Sequence, residues 1–122
     1  MVQGVFVDNV PMVKITLVWD GFVKSDWFIL DTGFTGDLQI PASHADELGI
    51  TPSSISIMTI ANGEKIAMPH ALAFAEIEGI TARVQVGISN GSSLVGISFL
   101  AKFGYRAIVD CKYKTVALDK PL

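Results

Sequence analysis

Short segments that alternate apolar and polar residues, separated by glycine-containing turns, run through most of this chain. In the segment 12–19 apolar side chains occupy every second position from Val13 to Leu17, as in a half-buried β-strand. The dipeptides Asp20-Gly21 and Asn62-Gly63 are strong signals for hairpin turns. Many short strands at regular spacing predict an all-β fold, either a sandwich or a barrel.

Helical patterns are confined to two short stretches. Residues Pro41 to Leu48 predict a short helix, because proline suits a first helical turn and Gly49 follows as a stop. Phe99 to Phe103 predicts one or two further turns, closed by Gly104. The sequence has 122 residues and contains no evident linker, so we expect one domain over residues 1–122.

Composition and charge exclude several classes of partner. Half of the residues are apolar, which fits a well-filled core and a surface covered by another subunit equally well. The net charge is −3 and no basic cluster is present, which disfavours nucleic-acid binding. No apolar stretch is long enough to span a membrane, and the first residues lack the features of a signal peptide. We therefore expect a cytoplasmic protein.

The few thiol and imidazole groups predict no metal site. The sequence contains one cysteine, Cys111, so no internal disulfide can form, and the apolar residues around it predict a buried, inert thiol. We expect His44 to face solvent from the predicted helix and His70 to lie on a strand. Two histidines and one cysteine at these spacings do not provide a set of metal ligands.

The tripeptide Asp31-Thr32-Gly33 directly follows the apolar run Trp27–Leu30. An ionised carboxylate beside a buried strand is costly unless it is paired or strongly hydrogen-bonded, so its retention indicates that the charge is used. The tripeptide occurs once in the chain. Asp110 also follows an apolar run, but Cys111 comes next, and we interpret Asp110 as a strand-end or turn residue.

Three features together resemble the retropepsin-like (clan AA) aspartic peptidases in their small, single-domain prokaryotic form. They occur in the order that this family shows and span most of the chain, from about residue 12 to residue 118. They are the apolar strand with its Asp-Thr-Gly and following strand (28–41), a flap-like hairpin (58–65) and an apolar-apolar-Gly strand with a short helix (94–100). The resemblance implies a closed all-β barrel with one flap hairpin.

The resemblance also implies a mechanism. Two facing aspartates share one proton; the ionised one activates a water molecule and the other stabilises the developing oxyanion. No cofactor and no metal are needed. Since this chain supplies one such residue, Asp31, the second carboxylate has to come from Asp31 of another copy. We therefore expect a homodimeric aspartic endopeptidase that acts on peptide or protein substrates.

Roles for the other motif residues follow from the same resemblance. Thr32 would hydrogen-bond across the dimer axis, although a hydroxyl that closes its own turn is the simpler alternative. Gly33 would allow close approach of the two loops. Ala61, Asn62 and Gly63 would form the flap tip, where local sequence alone indicates a plain surface hairpin. Gly96 would pack beneath the Asp31 loop in a structural role.

The chain also departs from the retroviral pattern. Phe34 replaces a small residue, and Ile97 stands where retroviral enzymes carry an arginine that forms an ion pair near the dimer interface. A second hypothesis is a retropepsin-fold module that binds peptides or assists assembly with little or no catalysis, since a fold does not determine a function. A third is a β-barrel domain without a peptide site.

Overall fold

The structure is a computed structural model that describes residues 1–59 and 61–122. Within this part of the chain, strands predominate and both helices are short. The elements are β1 (Val2–Gln3), β2 (Val5–Val7), β3 (Val10–Trp19), β4 (Phe22–Leu30), β5 (Leu38–Pro41), α1 (Ala42–Leu48), β6 (Ser54–Thr59), β7 (Lys65–Ile77), β8 (Ile80–Ser89), β9 (Leu94–Val95), α2 (Ile97–Phe103), β10 (Arg106–Asp110) and β11 (Thr115–Asp119). The prediction of an all-β fold is confirmed.

The β3–β4 hairpin shows how the alternating pattern becomes structure. Val13, Ile15 and Leu17 are all buried, whereas the intervening side chains lie on the outer face. Asp20 and Gly21 form the turn with φ angles of 46° and 81°. Two positive φ angles match the right-handed twist of the flanking strands, which explains the tight connection from Trp19 to Phe22.

The larger sheet closes on itself. Its eight strands follow the order β2-β3-β4-β9-β5-β8-β7-β6, and an additional antiparallel pairing joins β3 to β7. This pairing makes a closed ring of β3, β4, β9, β5, β8 and β7, as the expectation of a barrel requires. A smaller sheet has the order β1-β11-β10, and Gly4, between β1 and β2, donates its N–H to the Val116 carbonyl oxygen of β11 at 2.8 Å where the chain passes to the larger sheet.

Both helices end at the glycine that the sequence indicates, although each begins at a different residue from the predicted one. Pro41 precedes α1 as its N-cap, and Gly49 ends the helix with a φ of 69°. Helix α2 begins at Ile97, two residues before the predicted start, and ends at Gly104 with a φ of 73°. Phe99 and Phe103 stack at a centroid distance of 4.4 Å and fix α2 against the main core.

The predicted flap hairpin is present as β6 and β7. Strand β7 runs to Ile77, and Ile60, which belongs to the predicted flap-like hairpin (58–65), lies outside the described residues. Gly63 has a φ of 87°, and Asn62 Oδ1 accepts the Glu64 N–H at 2.9 Å. Within the described ranges, neither helix has the length and apolar character needed to cross a bilayer.

Candidate active site

Asp31 directly follows the last residue of β4, Leu30. Strand β9 runs parallel to β4, and backbone hydrogen bonds connect the two strands on both sides of this point. Ile29 N–H donates to the Ser93 carbonyl oxygen at 2.8 Å, and Asp31 N–H donates to the Val95 carbonyl oxygen at 3.1 Å. The backbone of Asp31 is therefore fixed by a strand that lies more than sixty residues later in the sequence.

The Asp31 carboxylate, rather than the Thr32 hydroxyl, closes the turn that follows. Oδ1 of Asp31 accepts the Gly33 N–H at 2.9 Å, and the Asp31 carbonyl oxygen accepts the Phe34 N–H at 3.1 Å. Thr32 is exposed, and its hydroxyl makes no hydrogen bond within residues 1–59 and 61–122. The simpler alternative for Thr32, a hydroxyl that satisfies its own turn, does not describe this loop.

Gly96 lies directly against the loop. Its N–H donates to the Asp37 carbonyl oxygen at 2.9 Å, and the next residue, Ile97, donates to the Phe34 carbonyl oxygen at 2.9 Å. A Cβ atom at Gly96 would overlap the Gly36 carbonyl oxygen and lie 2.5 Å from the Phe34 carbonyl oxygen. Because backbone atoms cannot move aside cheaply, this approach requires glycine.

Asp37 is a residue of this site that sequence reasoning did not select. It ends the loop, its side chain is 5% exposed, and Oδ2 accepts hydrogen bonds from Lys102 Nζ at 2.7 Å and from Gln85 N–H at 2.9 Å. Burial opposes ionisation of Asp37, but the hydrogen bonds from Lys102, Gln85 and Ser98 outweigh it and lower the pKa of the carboxyl below its usual value.

The Asp37–Lys102 ion pair joins α2 to the loop that follows Asp31. Lys102 also donates to the Arg83 carbonyl oxygen at 3.0 Å, so one ammonium group contacts both the loop and β8. Ile97, at the position of the retroviral arginine, is 43% exposed and carries no charge. The only sequence signals for this pair are a lone acid after Gly36 and a lysine in the last turn of α2.

The Asp31 loop and the hairpin form opposite sides of one cleft with a volume of about 680 Å³. Asp31 and Gly33 line it from below, and Thr59 and Ala61 line it from the hairpin. Asn62 and Gly63, also expected at the flap tip, are exposed beyond this cleft, and Thr32 does not line it. The structure thus brings together Asp31, Gly33 and Ala61, with Gly96 buried below them.

Two polar residues, Cys111 and His44, lie in surroundings that differ from those predicted from the sequence. Cys111 is exposed in the turn after β10, not buried. His44 is not free in solvent: its side chain is 30% exposed, and Nδ1 lies 3.1 Å from Asp26 Oδ2. Asp110 is the expected turn residue, since its Oδ1 accepts the N–H groups of Lys112 and Tyr113 at 3.0 Å each.

Metal-ligating side chains do not converge near the cleft. In the part of the chain that the structure describes, no group of three or more His, Cys, Asp or Glu side chains could hold a metal ion. His70 lies on β7 beside a smaller cavity of about 180 Å³ next to Asp37. The chemistry available in the cleft is therefore that of the Asp31 carboxylate and of uncharged hydrogen-bonding groups.

Comparison with solved structures identifies the fold. No protein-family model and no curated protein sequence matches this chain. A retropepsin-like aspartic protease from Rickettsia conorii aligns with a TM-score of 0.67 and 16% identity, over 98% of this chain and 90% of that chain. The EIAV protease in complex with the inhibitor HBY-793 aligns with a TM-score of 0.63 and 11% identity, over 84% of this chain and 96% of that chain. The fold is retropepsin-like, as the resemblance in the sequence predicted.

Proposed function

We propose that this protein is a homodimeric aspartic endopeptidase in which Asp31 of each subunit supplies one carboxylate. The observation that carries the proposal is the position of Asp31: it is fixed by β9 at the floor of a cleft whose other side is the β6–β7 hairpin. The two retropepsin-fold neighbours named above are both proteases, which supports the same chemistry. A cleft between a sheet and a hairpin suits an extended peptide.

The proposed reaction uses a carboxylate pair with one shared proton. Two carboxylates at contact distance cannot both ionise, so one Asp31 is charged and its mate is protonated. The charged carboxylate takes a proton from a water molecule, whose oxygen attacks the scissile carbonyl carbon. The protonated carboxyl hydrogen-bonds the carbonyl oxygen and stabilises the tetrahedral intermediate. The carboxyl that took the proton from water then gives it to the amide nitrogen, the C–N bond breaks, and one shared proton remains on the pair.

The loop geometry supports this division of roles. The Gly33 N–H holds Oδ1 of Asp31, so the carboxylate is oriented before any substrate arrives. Thr32 is exposed next to it with its hydroxyl free of hydrogen bonds within the described ranges, and this hydroxyl is available to a second copy of the loop. The hairpin, with Ala61, Asn62 and Gly63 at its tip, would close over the substrate and exclude water.

A conservative substitution tests the proposal. The Asp31→Asn variant keeps the size and the Oδ1 acceptor of the side chain but removes the acid–base group, and we expect peptide cleavage to fall by about 10²–10⁴-fold or more. Asp110→Asn is the matched control, because Asp110 caps a turn outside the cleft and its asparagine retains that acceptor. Wild-type cleavage should be best at acid to mildly acid pH and blocked by a statine-type analogue.

Mixing experiments test the shared site. After subunit exchange, an excess of Asp31→Asn chains should suppress wild-type activity, because each mixed dimer lacks one carboxylate. Sedimentation should show a dimer for both proteins. Full activity in the presence of excess variant, or full activity of the Asp31→Asn protein itself, would overturn the proposal, and peptide binding without cleavage at any pH would favour the non-catalytic binding module.

A further inference from the structure

Both apolar and polar side chains line the cleft. Ile66 and Met68 of β7, together with Leu94 of β9, provide apolar surface. Gln39 of β5 and the loop residues Ser89 and Asn90 provide polar groups beside it. A cleft that selected apolar side chains would gain nothing from these polar groups, whereas hydrogen-bonding side chains would.

Gln39 is placed in the cleft by the register of the sheet. Its neighbours in β5, Leu38 and Ile40, are each 1% exposed and point into the core. Gln39 alternates to the other face and pairs directly with Leu94. Its Nε2 donates to the Ser92 carbonyl oxygen at 3.4 Å, while Oε1 makes no hydrogen bond within the described residues. Gln39 therefore presents an oriented, unused acceptor.

The loop after β8 adds further hydrogen-bonding groups. The Ser89 hydroxyl oxygen accepts the Gly91 N–H at 3.0 Å, which leaves its own proton available to donate. Asn90 is exposed, and its amide makes no hydrogen bond within residues 1–59 and 61–122. Among the described residues that line the cleft, Asp31 is the one that carries a charge, so Gln39, Ser89 and Asn90 offer no counter-ion to an acidic or a basic side chain.

We propose that Gln39, with Ser89 and Asn90, selects peptide substrates that carry an uncharged hydrogen-bonding side chain, Ser, Thr, Asn or Gln, beside the scissile bond. This inference rests on the proposed peptidase function. When the hairpin closes and expels water, an apolar side chain leaves the Gln39 acceptor without a partner, whereas a hydroxyl or amide replaces the lost water. Gln39 is thus a specificity-determining residue.

Matched peptides test this selection. The probes are peptides with alanine at the other positions and lysine at both ends, in which Thr-Thr, Val-Val, Asn-Asn or Leu-Leu flank the scissile bond. Threonine and valine have the same number and branching of side-chain heavy atoms, as do asparagine and leucine. One well-placed neutral hydrogen bond corresponds to a preference of about 3–10-fold in kcat/KM for each polar member. Gln39→Met should abolish the preference, and Gln85→Met, outside this cleft, should retain it.

Binding separates this inference from the proposed chemistry. The same peptides are titrated into Asp31→Asn protein and into the Asp31→Asn, Gln39→Met double variant. Cleavage with a preference for Val-Val and Leu-Leu would overturn the inference and leave the peptidase proposal standing. Gln39-dependent binding of the polar peptides without wild-type cleavage would support the inference and overturn the peptidase. Neither cleavage nor binding would overturn both.

Discussion

Replacing Lys102 by methionine would leave the Asp37 carboxylate buried without its counter-ion. The side chain of Asp37 is 5% exposed, and Lys102 Nζ lies 2.7 Å from Oδ2. Removing one member of a buried ion pair costs about 3–5 kcal/mol. Because Lys102 itself is 38% exposed and Gln85 N–H still donates to the carboxylate, the loss is smaller, about 2–3 kcal/mol at neutral pH.

The pH dependence of this loss has a definite sign. In the wild type the pKa of Asp37 lies below its unfolded value, so its stabilising contribution is present above about pH 4 and is lost as the pH falls through the folded pKa. Without Lys102, the carboxyl loses a hydrogen bond and an attraction that lower its pKa, so the pKa of Asp37 in the folded variant lies above that in the folded wild type, and acid removes less stability from the variant. The stability difference between the two proteins must therefore shrink under acidic conditions.

Urea denaturation at about pH 7 and about pH 3.5 measures both effects. For a chain of 122 residues, the neutral-pH loss corresponds to a decrease in Tm of about 8–12 °C. Lys24→Met is the matched control, because Lys24 pairs on the surface with Glu47, which is 57% exposed, and its loss should be far smaller. Equal stability of wild type and Lys102→Met at neutral pH, or a deficit unchanged by acid, would refute the reasoning.

Two further predictions concern the loop support and a buried phenol. Gly96→Ala should lower the free energy of unfolding by about 3 kcal/mol or more, because its Cβ atom would overlap the Gly36 carbonyl oxygen. In the control Gly91→Ala, the nearest atom lies 3.4 Å from the added Cβ atom, so this variant should unfold near the wild-type temperature. Equal losses of stability in the two variants would contradict the close approach at Gly96. Burial, followed by the hydrogen bond to Glu78, raises the pKa of Tyr105, so an ultraviolet titration should show a phenol that ionises above the usual range of tyrosine, and Tyr105→Phe should remove that late transition.

Local patterns predicted the hairpins, both helices and the Asp31 loop, because each depends on residues close together in sequence. The turn at Asp20-Gly21 needs only two residues with positive φ, and the ends of α1 and α2 need only a following glycine. The Asp-Thr-Gly tripeptide marked the candidate carboxylate for the same reason. Its flanking strand and loop fix the backbone of Asp31 at the cleft, as the proposed chemistry requires.

Long-range placement was not predictable in this way. Asp37 and Lys102 are 65 residues apart, and no local pattern marks them as partners. From the sequence alone, Gln39 is only a polar residue on a short strand. Its position beside Leu94 depends on β9, which lies between β4 and β5 in the sheet and comes from a distant part of the sequence. Cys111 was assigned to the interior because its neighbours are apolar, yet Ile108 and Val109 are 45% and 40% exposed on an edge strand.

The symmetry of the proposed dimer follows from one loop. A twofold axis brings two copies of a residue into contact only where that residue lies at the axis, so a pair of Asp31 carboxylates fixes the axis beside residues 31–33. The exposed neighbour, Thr32, must then face its own copy, and its hydroxyl, free within the described part of the subunit, gains a partner of matching chemistry. Gly96 and the Asp37–Lys102 pair support the same loop from within the subunit. In the proposed dimer, the loop that carries the Asp31 carboxylate would therefore also determine how the subunits meet.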